Sequence, residues 1–277
     1  MPRTPTPGLH APLPPNALIR AIEAAYPAAR SAQWHPLTGG RTNHLWRVAD
    51  WVVKLYDPQS ASPLFPNDPS AEARALRLFA PLAPTLRATG DGWLAYDHIP
   101  GEIWSGDPAA VARTLSRLHQ ILPTLPSFRL APTGSHAILC QAQRIAAECQ
   151  GTLPPPPIAN IAATPHHFIH GDAVPGNIIT GPQGITLIDW QCPALGDPAE
   201  DLAAFLSPAM QWLYRGQTLT PDQEQVFLSA YPNPETTARY RALKPLFHWR
   251  MAAHCLWKSE RGAQDYATAL RLELQAL

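Results

Sequence analysis
The chain has 277 residues, 21 Lys and Arg against 21 Asp and Glu, and 45% hydrophobic residues, which suits one large domain or two lobes around a sizeable core. Without a basic excess a nucleic-acid partner is not expected, and no apolar run of about eighteen residues exists to cross a membrane. The opening MPRTPTPGLHAPLPP lacks the apolar centre of a secretory signal, so a cytoplasmic protein is expected; Cys140, Cys149, Cys192 and Cys255 lack metal spacing and read as free thiols.

Residues 1–15 are rich in proline, which denies helical hydrogen bonds, and read as a mobile arm. A short helix follows, with Asn16 placed to cap it and Leu18, Ile22 and Ala25 on one face before Pro27. Two strands, about Leu45 to Val48 and Trp51 to Tyr56, meet at Ala49-Asp50. The loop ahead of them, Gly39-Gly40-Arg41-Thr42-Asn43, lets backbone approach phosphate oxygens, and Thr42 and Asn43 can donate hydrogen bonds; an ordinary glycine turn is the alternative. Lys54 stands inside an apolar strand, where a charge needs solvent or a partner. One glutamate, Glu72, lies between it and residue 101, on a helix with Asp68 as cap and Pro69 at its first position.

A turn at Gly90-Asp91-Gly92 leads into a strand from Trp93 to Tyr96 and on through Asp97, His98 and Ile99. Asp107-Pro108 opens a helix carrying Val111, Leu115, Leu118, His119 and Leu122 at helical spacing, with His119 read as a core histidine. A further helix spans about His136 to Gln150, and Pro154 to Pro157 form a stiff connector.

The stretch from Phe168 to Asp201, FIHGDAVPGNIITGPQGITLIDWQCPALGDPAED, organises the rest. Short apolar runs separated by Gly181-Pro182-Gln183-Gly184 predict a hairpin that carries Asn177 and Asp189 at one mouth, with Asp172 on the preceding loop. Phosphoryl transfer from ATP needs a carboxylate to position the acceptor hydroxyl and take its proton, and hard oxygen ligands for Mg²⁺. Asp172 fits the first role, and Asn177 and Asp189 the second. Asp197, ahead of Pro198, reads as a helix cap, and Asp197 and Asp201 as structural braces. The remainder to Leu277 reads as helices.

His-Gly-Asp, four residues, Asn, then Ile-Asp-Trp and Gly-Asp-Pro-x-x-Asp-Leu resemble the aminoglycoside phosphotransferase and choline kinase superfamily over roughly residues 37–207. The resemblance implies an α+β, two-lobed protein-kinase-like fold: a nucleotide-binding lobe over 16–97 with an antiparallel sheet, and a mostly helical catalytic and substrate lobe over 98–277. It implies that Lys54, paired by Glu72, holds ATP phosphates, that the Thr42-Asn43 loop covers them, and that backbone near Asp97 to Ile99 meets adenine. His170 is expected to brace its loop by hydrogen bonding. Two positions depart from the pattern. Val174 stands where relatives carry a polar residue, leaving charge neutralisation to Lys54 and metal ions, and Gln191 replaces a frequent glutamate that could face a cationic substrate.

For the acceptor, eleven acids against eight bases from Asp172 onward leave no large surplus for a polycation such as an aminoglycoside. A small amino alcohol asks only for an aromatic wall, and Trp249 and Trp257, with Trp212 and Tyr214, are candidates, core packing being the alternative. The expectation is therefore an ATP- and Mg²⁺-dependent kinase of a small-molecule alcohol of the choline, ethanolamine or thiamine type. An aminoglycoside, sugar or homoserine phosphotransferase and a nucleotide-binding pseudokinase are the alternatives.

Overall fold
The computed structural model describes residues 13–37, 41–122 and 128–277. Most of the proline-rich arm, and Gly39-Gly40 of the glycine loop, lie outside the described residues.

Helix α1 (Asn16–Ala25) precedes a five-stranded antiparallel sheet of β1 (Trp34–Pro36), β2 (His44–Val48), β3 (Trp51–Leu55), β4 (Leu86–Gly90) and β5 (Trp93–Asp97), in the order β1-β2-β3-β5-β4. Asn16 does not cap α1 as expected: Pro15 holds the cap position, and the helix begins at Asn16 with no side-chain cap bond. Alternation along the central strands sorts their side chains onto two faces. Trp46, Val48, Val53 and Ala95 pack with Leu18 and Ile22 of α1. Val52, Tyr56, Leu94 and Tyr96 face the other way, into the core shared with Ala75, Leu76 and Phe79 of helix α2 (Pro69–Leu78) and its C-cap. Lys54 has the parity of Val52 and Tyr56, so strand geometry aims it at α2 and away from solvent. Helix α2 starts as its sequence predicts, with the Asp68 side chain accepting from the amides of Ser70 and Ala71 and Pro69 at the first position.

After β6 (Glu102–Ile103) the chain becomes mostly helical: α3 (Pro108–His119), β7 (Arg129–Leu130), α4 (Ser135–Ala147), β8 (His167–Ile169), the hairpin β9 (Ile178–Gly181) and β10 (Gly184–Leu187), β11 (Ala194–Gly196), α5 (Ala199–Leu206), α6 (Pro208–Arg215), α7 (Pro221–Ala230), α8 (Pro234–Glu260) and α9 (Tyr266–Gln275). The hairpin pairs antiparallel with β6, and the two-residue β7–β11 contact is the parallel pairing among the described residues. The α+β expectation is met. Helix α8 runs through Pro245 without ending. Its residues Leu246–Cys255 are all buried, and that packing offsets the backbone hydrogen bond a proline removes.

Candidate active site
The β9–β10 register pairs Ile178 with Leu187, which leaves Asn177 and Ile188 opposite each other at the open end, joined by the Ile188 amide donating to the Asn177 carbonyl at 2.9 Å. Asp189 follows with φ +62°, a left-handed conformation uncommon outside glycine that marks a position worth a functional account.

The loop carrying Asp172 is pinned from below. Asp201, fully buried, accepts the His170 and Gly171 amides at 2.8 Å each and bonds His119 Nε2 at 3.0 Å, while His119 Nδ1 meets the Tyr231 hydroxyl at 2.8 Å. Burial alone would raise the Asp201 carboxyl; its hydrogen bond and charge contact with His119, followed by His170, outweigh that and hold it below the ordinary carboxylate value. Gly171 is required here, since φ is +75° and a Cβ would overlap the Cys192 carbonyl. His170 Nε2 reaches the Ile188 carbonyl at 3.1 Å and ties the loop to the hairpin end. Burial lowers the His170 pKa, so the ring is a neutral donor. Asp197 accepts the Ala199 amide at 3.0 Å and pairs with Arg239 at 2.5 Å, anchoring the entry to α5.

Asp172 is 8% exposed and receives Asn177 Nδ2 at its carbonyl (2.9 Å) and at Oδ2 (3.0 Å). Burial, then the neighbouring Asp189 carboxylate, push the Asp172 carboxyl up to about 8. Lys54, 1% exposed, donates to Glu72 Oε2 at 2.6 Å, to Asp189 Oδ1, and to Gln191 Oε1 at 3.2 Å. Burial works to lower its pKa, but Asp189 and Glu72 prevail and hold the ammonium up at about 12. Glu72 is raised by burial, partly offset by Lys54 and the Tyr56 hydroxyl; the Trp190 amide donates to its other oxygen at 3.2 Å.

Gln191 lies at the edge of the polar cleft and is tied down by hydrogen bonds. Its Oε1 accepts from Lys54 and from Asn43 Nδ2 at 2.7 Å, and its Nε2 reaches Thr42 Oγ1 at 3.3 Å. The Asn43 amide nitrogen donates to Gln191 and to Asn67 Oδ1 at 2.9 Å, while its oxygen accepts from Asn67 and the Asp57 amide. Asn43 is therefore a brace for the loop, and of the expected pair Thr42 is the one that lines a cleft.

Two clefts meet here. An apolar one of about 1070 Å³ is lined by Leu45, Val52, Tyr96, Ile99, Ile179 and Ile188 among others. A polar one of about 530 Å³ holds Asp172, Thr42 and Gln191. Asn177, Asp189 and Tyr214 line both, the Tyr214 ring lying where a Cβ on Gly176 would overlap it. The Asp97 side chain is turned out of the apolar cleft into a two-pronged pair with Arg87 (2.5 and 2.7 Å), and its amide is bonded to Thr85.

Of the expected aromatic wall, Tyr214 lines the clefts and the three tryptophans do not. Trp249 is buried in α8, Trp257 donates to Glu148 at 2.8 Å beneath Arg261, and Trp212 packs in the cluster with Met210 and Met251; none of the three lines either cleft. The polar cleft instead presents Tyr214, Tyr266, Arg41, His254 and Lys258. Val174 is buried in the same apolar cluster as Trp212, and the cations that line the polar cleft are Arg41 and Lys258. A sequence signal for part of this set existed: His254 and Lys258 are one helical turn apart and so share a face.

A family model described as a phosphotransferase enzyme family matches residues 33–243. No curated protein matches the chain in sequence. Among solved structures, a choline/ethanolamine kinase family protein from Mesorhizobium loti is 18% identical, with 94% of this chain and 98% of that one covered at a TM-score of 0.64. Choline kinase LicA from Streptococcus pneumoniae is 19% identical, with 94% and 97% covered and a TM-score of 0.62. A streptomycin–ATP–APH(2")-IIa ternary complex is 14% identical, with 88% and 91% covered and a TM-score of 0.65. These likenesses are of fold, and they match the two-lobed kinase-like architecture expected from the motifs.

Proposed function
The chain belongs to the phosphotransferase enzyme family, and from that premise we propose that it transfers the γ-phosphoryl group of ATP to a hydroxyl of a small molecule, with Mg²⁺ at Asn177 and Asp189. The observation that carries this reading is the meeting of an apolar and a polar cleft at those two side chains, with Asp172 on the polar side only. An apolar slot suits a purine, and a carboxylate beyond the junction suits a hydroxyl acceptor. Residues 16–97 then serve as the nucleotide-binding lobe and residues 98–277 as the catalytic and substrate lobe.

The donors present fit a hard divalent cation. Asn177 spends its amide nitrogen on Asp172, and Asp189 spends Oδ1 on Lys54, so Asn177 Oδ1 and Asp189 Oδ2 have no protein donor among the described residues. Two oxygen ligands with phosphates completing the shell is how Mg²⁺ is commonly held. When bound it would supply charge neutralisation between the phosphates and relieve the repulsion that Asp189 exerts on Asp172.

In the reaction Asp172 accepts the proton of the acceptor hydroxyl as that oxygen bonds to the γ-phosphorus. The bond from γ-phosphorus to the β,γ-bridging oxygen breaks and ADP leaves. Lys54, oriented by Glu72, faces the α- and β-phosphates, and Thr42 offers its hydroxyl to the phosphate chain. Ile99 and its neighbours wall the adenine slot. Asp201 and His170 hold Asp172 in register with the hairpin, so the geometry is set before substrate arrives.

An amino-alcohol acceptor, the expectation from sequence, rested on the glycine loop, the small acid surplus and an aromatic wall of Trp249, Trp257, Trp212 and Tyr214. Of those four rings Tyr214 alone lines the polar cleft, so the wall is reduced to one ring and the acceptor is decided by the cleft's own side chains. The reading is tested by calorimetric titration of ATP with and without Mg²⁺: Asp189→Ala should lose the Mg²⁺-dependent part of the affinity, about 10-fold or more, while unchanged Mg²⁺-dependent binding would contradict it.

A further inference from the structure
Lys54, Lys244 and Lys258 are the lysines of the chain. Lys54 has Glu72 and Asp189, and Lys244 has Glu224 at 3.7 Å. Lys258 has no carboxylate within 4.0 Å among the described residues, although it is half-buried and lines the polar cleft with Asp172. Its neighbour is the Trp257 ring, 5.8 Å from Nζ. A cation withdrawn from water without a counter-charge is costly unless a ligand supplies one.

The rest of the cleft offers an ammonium no free counter-charge. Its carboxylates are Asp172 and Asp189, one facing the reacting hydroxyl and the other paired with Lys54. The two aromatic faces that would suit an ammonium are already filled by the protein: the Arg41 guanidinium lies 5.5 Å from the centroids of both Tyr214 and Tyr266, held by Asp265 at 2.7 Å and the Leu213 carbonyl at 3.2 Å. His254, one turn before Lys258, is pushed down to about 3 by burial and then by Lys258 and Arg250, so it brings no charge. Burial and Arg41 lower the Lys258 pKa in turn.

We propose that Lys258, backed by Arg41, is an anion subsite of the acceptor cleft, and that the alcohol phosphorylated carries a carboxylate or a phosphate and no lone ammonium. This rests on the phosphotransferase reading above and specifies its substrate class. The acceptor hydroxyl meets Asp172 while its anionic end meets Lys258 Nζ, which sets which hydroxyl is presented. An acceptor bearing only an ammonium would meet Lys258 and Arg41 with no free carboxylate in the cleft to answer them.

The test is Mg²⁺- and acceptor-dependent ADP release over four groups: hydroxy acids (glycerate, gluconate), phosphorylated alcohols (glycerol 3-phosphate, glucose 6-phosphate), neutral polyols (glycerol, glucose) and amines (ethanolamine, choline, kanamycin). The expected result is turnover in the first or second group, and which of them responds separates a carboxylate from a phosphate ligand. Lys258→Gln should lower kcat/KM for that acceptor about 10- to 100-fold, mainly through KM, and Lys258→Arg should restore most of it. Preferred turnover of amines or neutral polyols would overturn the subsite. So would an equal loss on all acceptors together with a raised KM for ATP, which would place Lys258 against the γ-phosphate. If no compound is turned over, calorimetry with the same anions on the ADP-loaded enzyme separates the two claims. Lys258-dependent binding would support the subsite while the transfer reading fails, and no binding would overturn both.

Discussion
Lys54 and Lys258 mark two regions of one site that treat a cation in opposite ways. Lys54 is fully buried on a central strand and saturated with acceptors, Glu72, Asp189 and Gln191. Lys258 is half-buried on a long helix, lines the polar cleft and has no carboxylate within 4.0 Å among the described residues. The difference teaches how to tell a framework charge from a receptive one. The first is built into the fold, and its removal strands its partners; the second is held ready for something that arrives from solution.

The largest effect is expected at Lys54. Lys54→Met leaves Glu72 and Asp189 without their counter-charge, and chemical denaturation should show a loss of about 3–5 kcal/mol. Adding Glu72→Leu should recover part of it and no catalysis. Recovery stays partial because the Tyr56 hydroxyl and Trp190 amide also lose their acceptor.

A second effect belongs to the receptive region and is read through pH. His254 is held down to about 3 in the fold against an ordinary value of 6.5, so below pH 6.5 the unfolded chain binds a proton the native ring refuses. Stability contributed by the neutral ring is complete above pH 6.5 and is lost as pH falls towards 3. Relative to His254→Phe, the wild type should therefore lose stability across that window at up to about 1.4 kcal/mol per pH unit. A difference between the two proteins that is flat with pH would contradict the burial of a neutral ring between Lys258 and Arg250.

The smallest effect sharpens the contrast. Arg41→Ala removes a partly exposed ion pair, so its cost in stability should be about 1 kcal/mol or less. It also empties the faces of Tyr214 and Tyr266, and choline affinity measured by calorimetry should rise a few-fold, the worth of about 0.5–1 kcal/mol of cation–π contact. Unchanged or weaker choline binding would show that Arg41 is not what keeps cations out.

The region around Asp172 was readable in the sequence because its geometry is local. Asp172, Asn177 and Asp189 lie on one loop and one hairpin, and the alternation of β9 and β10 fixes which of them meet. Lys54 and Glu72 could be paired because Glu72 is the one glutamate available in that stretch and Asp68-Pro69 announces its helix. The polar cleft was not readable. Arg41 and Asp265 are 224 residues apart, and the cleft joins a loop beside β2 to α6, α8 and α9 through packing that no local pattern records. In α8 the unbroken burial of Leu246–Cys255 erases the helical periodicity that separates a core face from a cleft face, so Trp249 could be mistaken for a wall. The partners of Gln191 were hidden for a similar reason: its position after Ile-Asp-Trp does not tell that it bonds Lys54, Asn43 and Thr42.

Asp172 is the proposed proton acceptor in phosphoryl transfer. Acceptor-dependent ADP release, measured beside Mg²⁺-ATP affinity for the wild type and Asp172→Asn, tests this most directly. The substitution should lower kcat by about 10²- to 10⁴-fold on every acceptor while nucleotide affinity stays within a few-fold. Turnover by Asp172→Asn at the wild-type rate would contradict it.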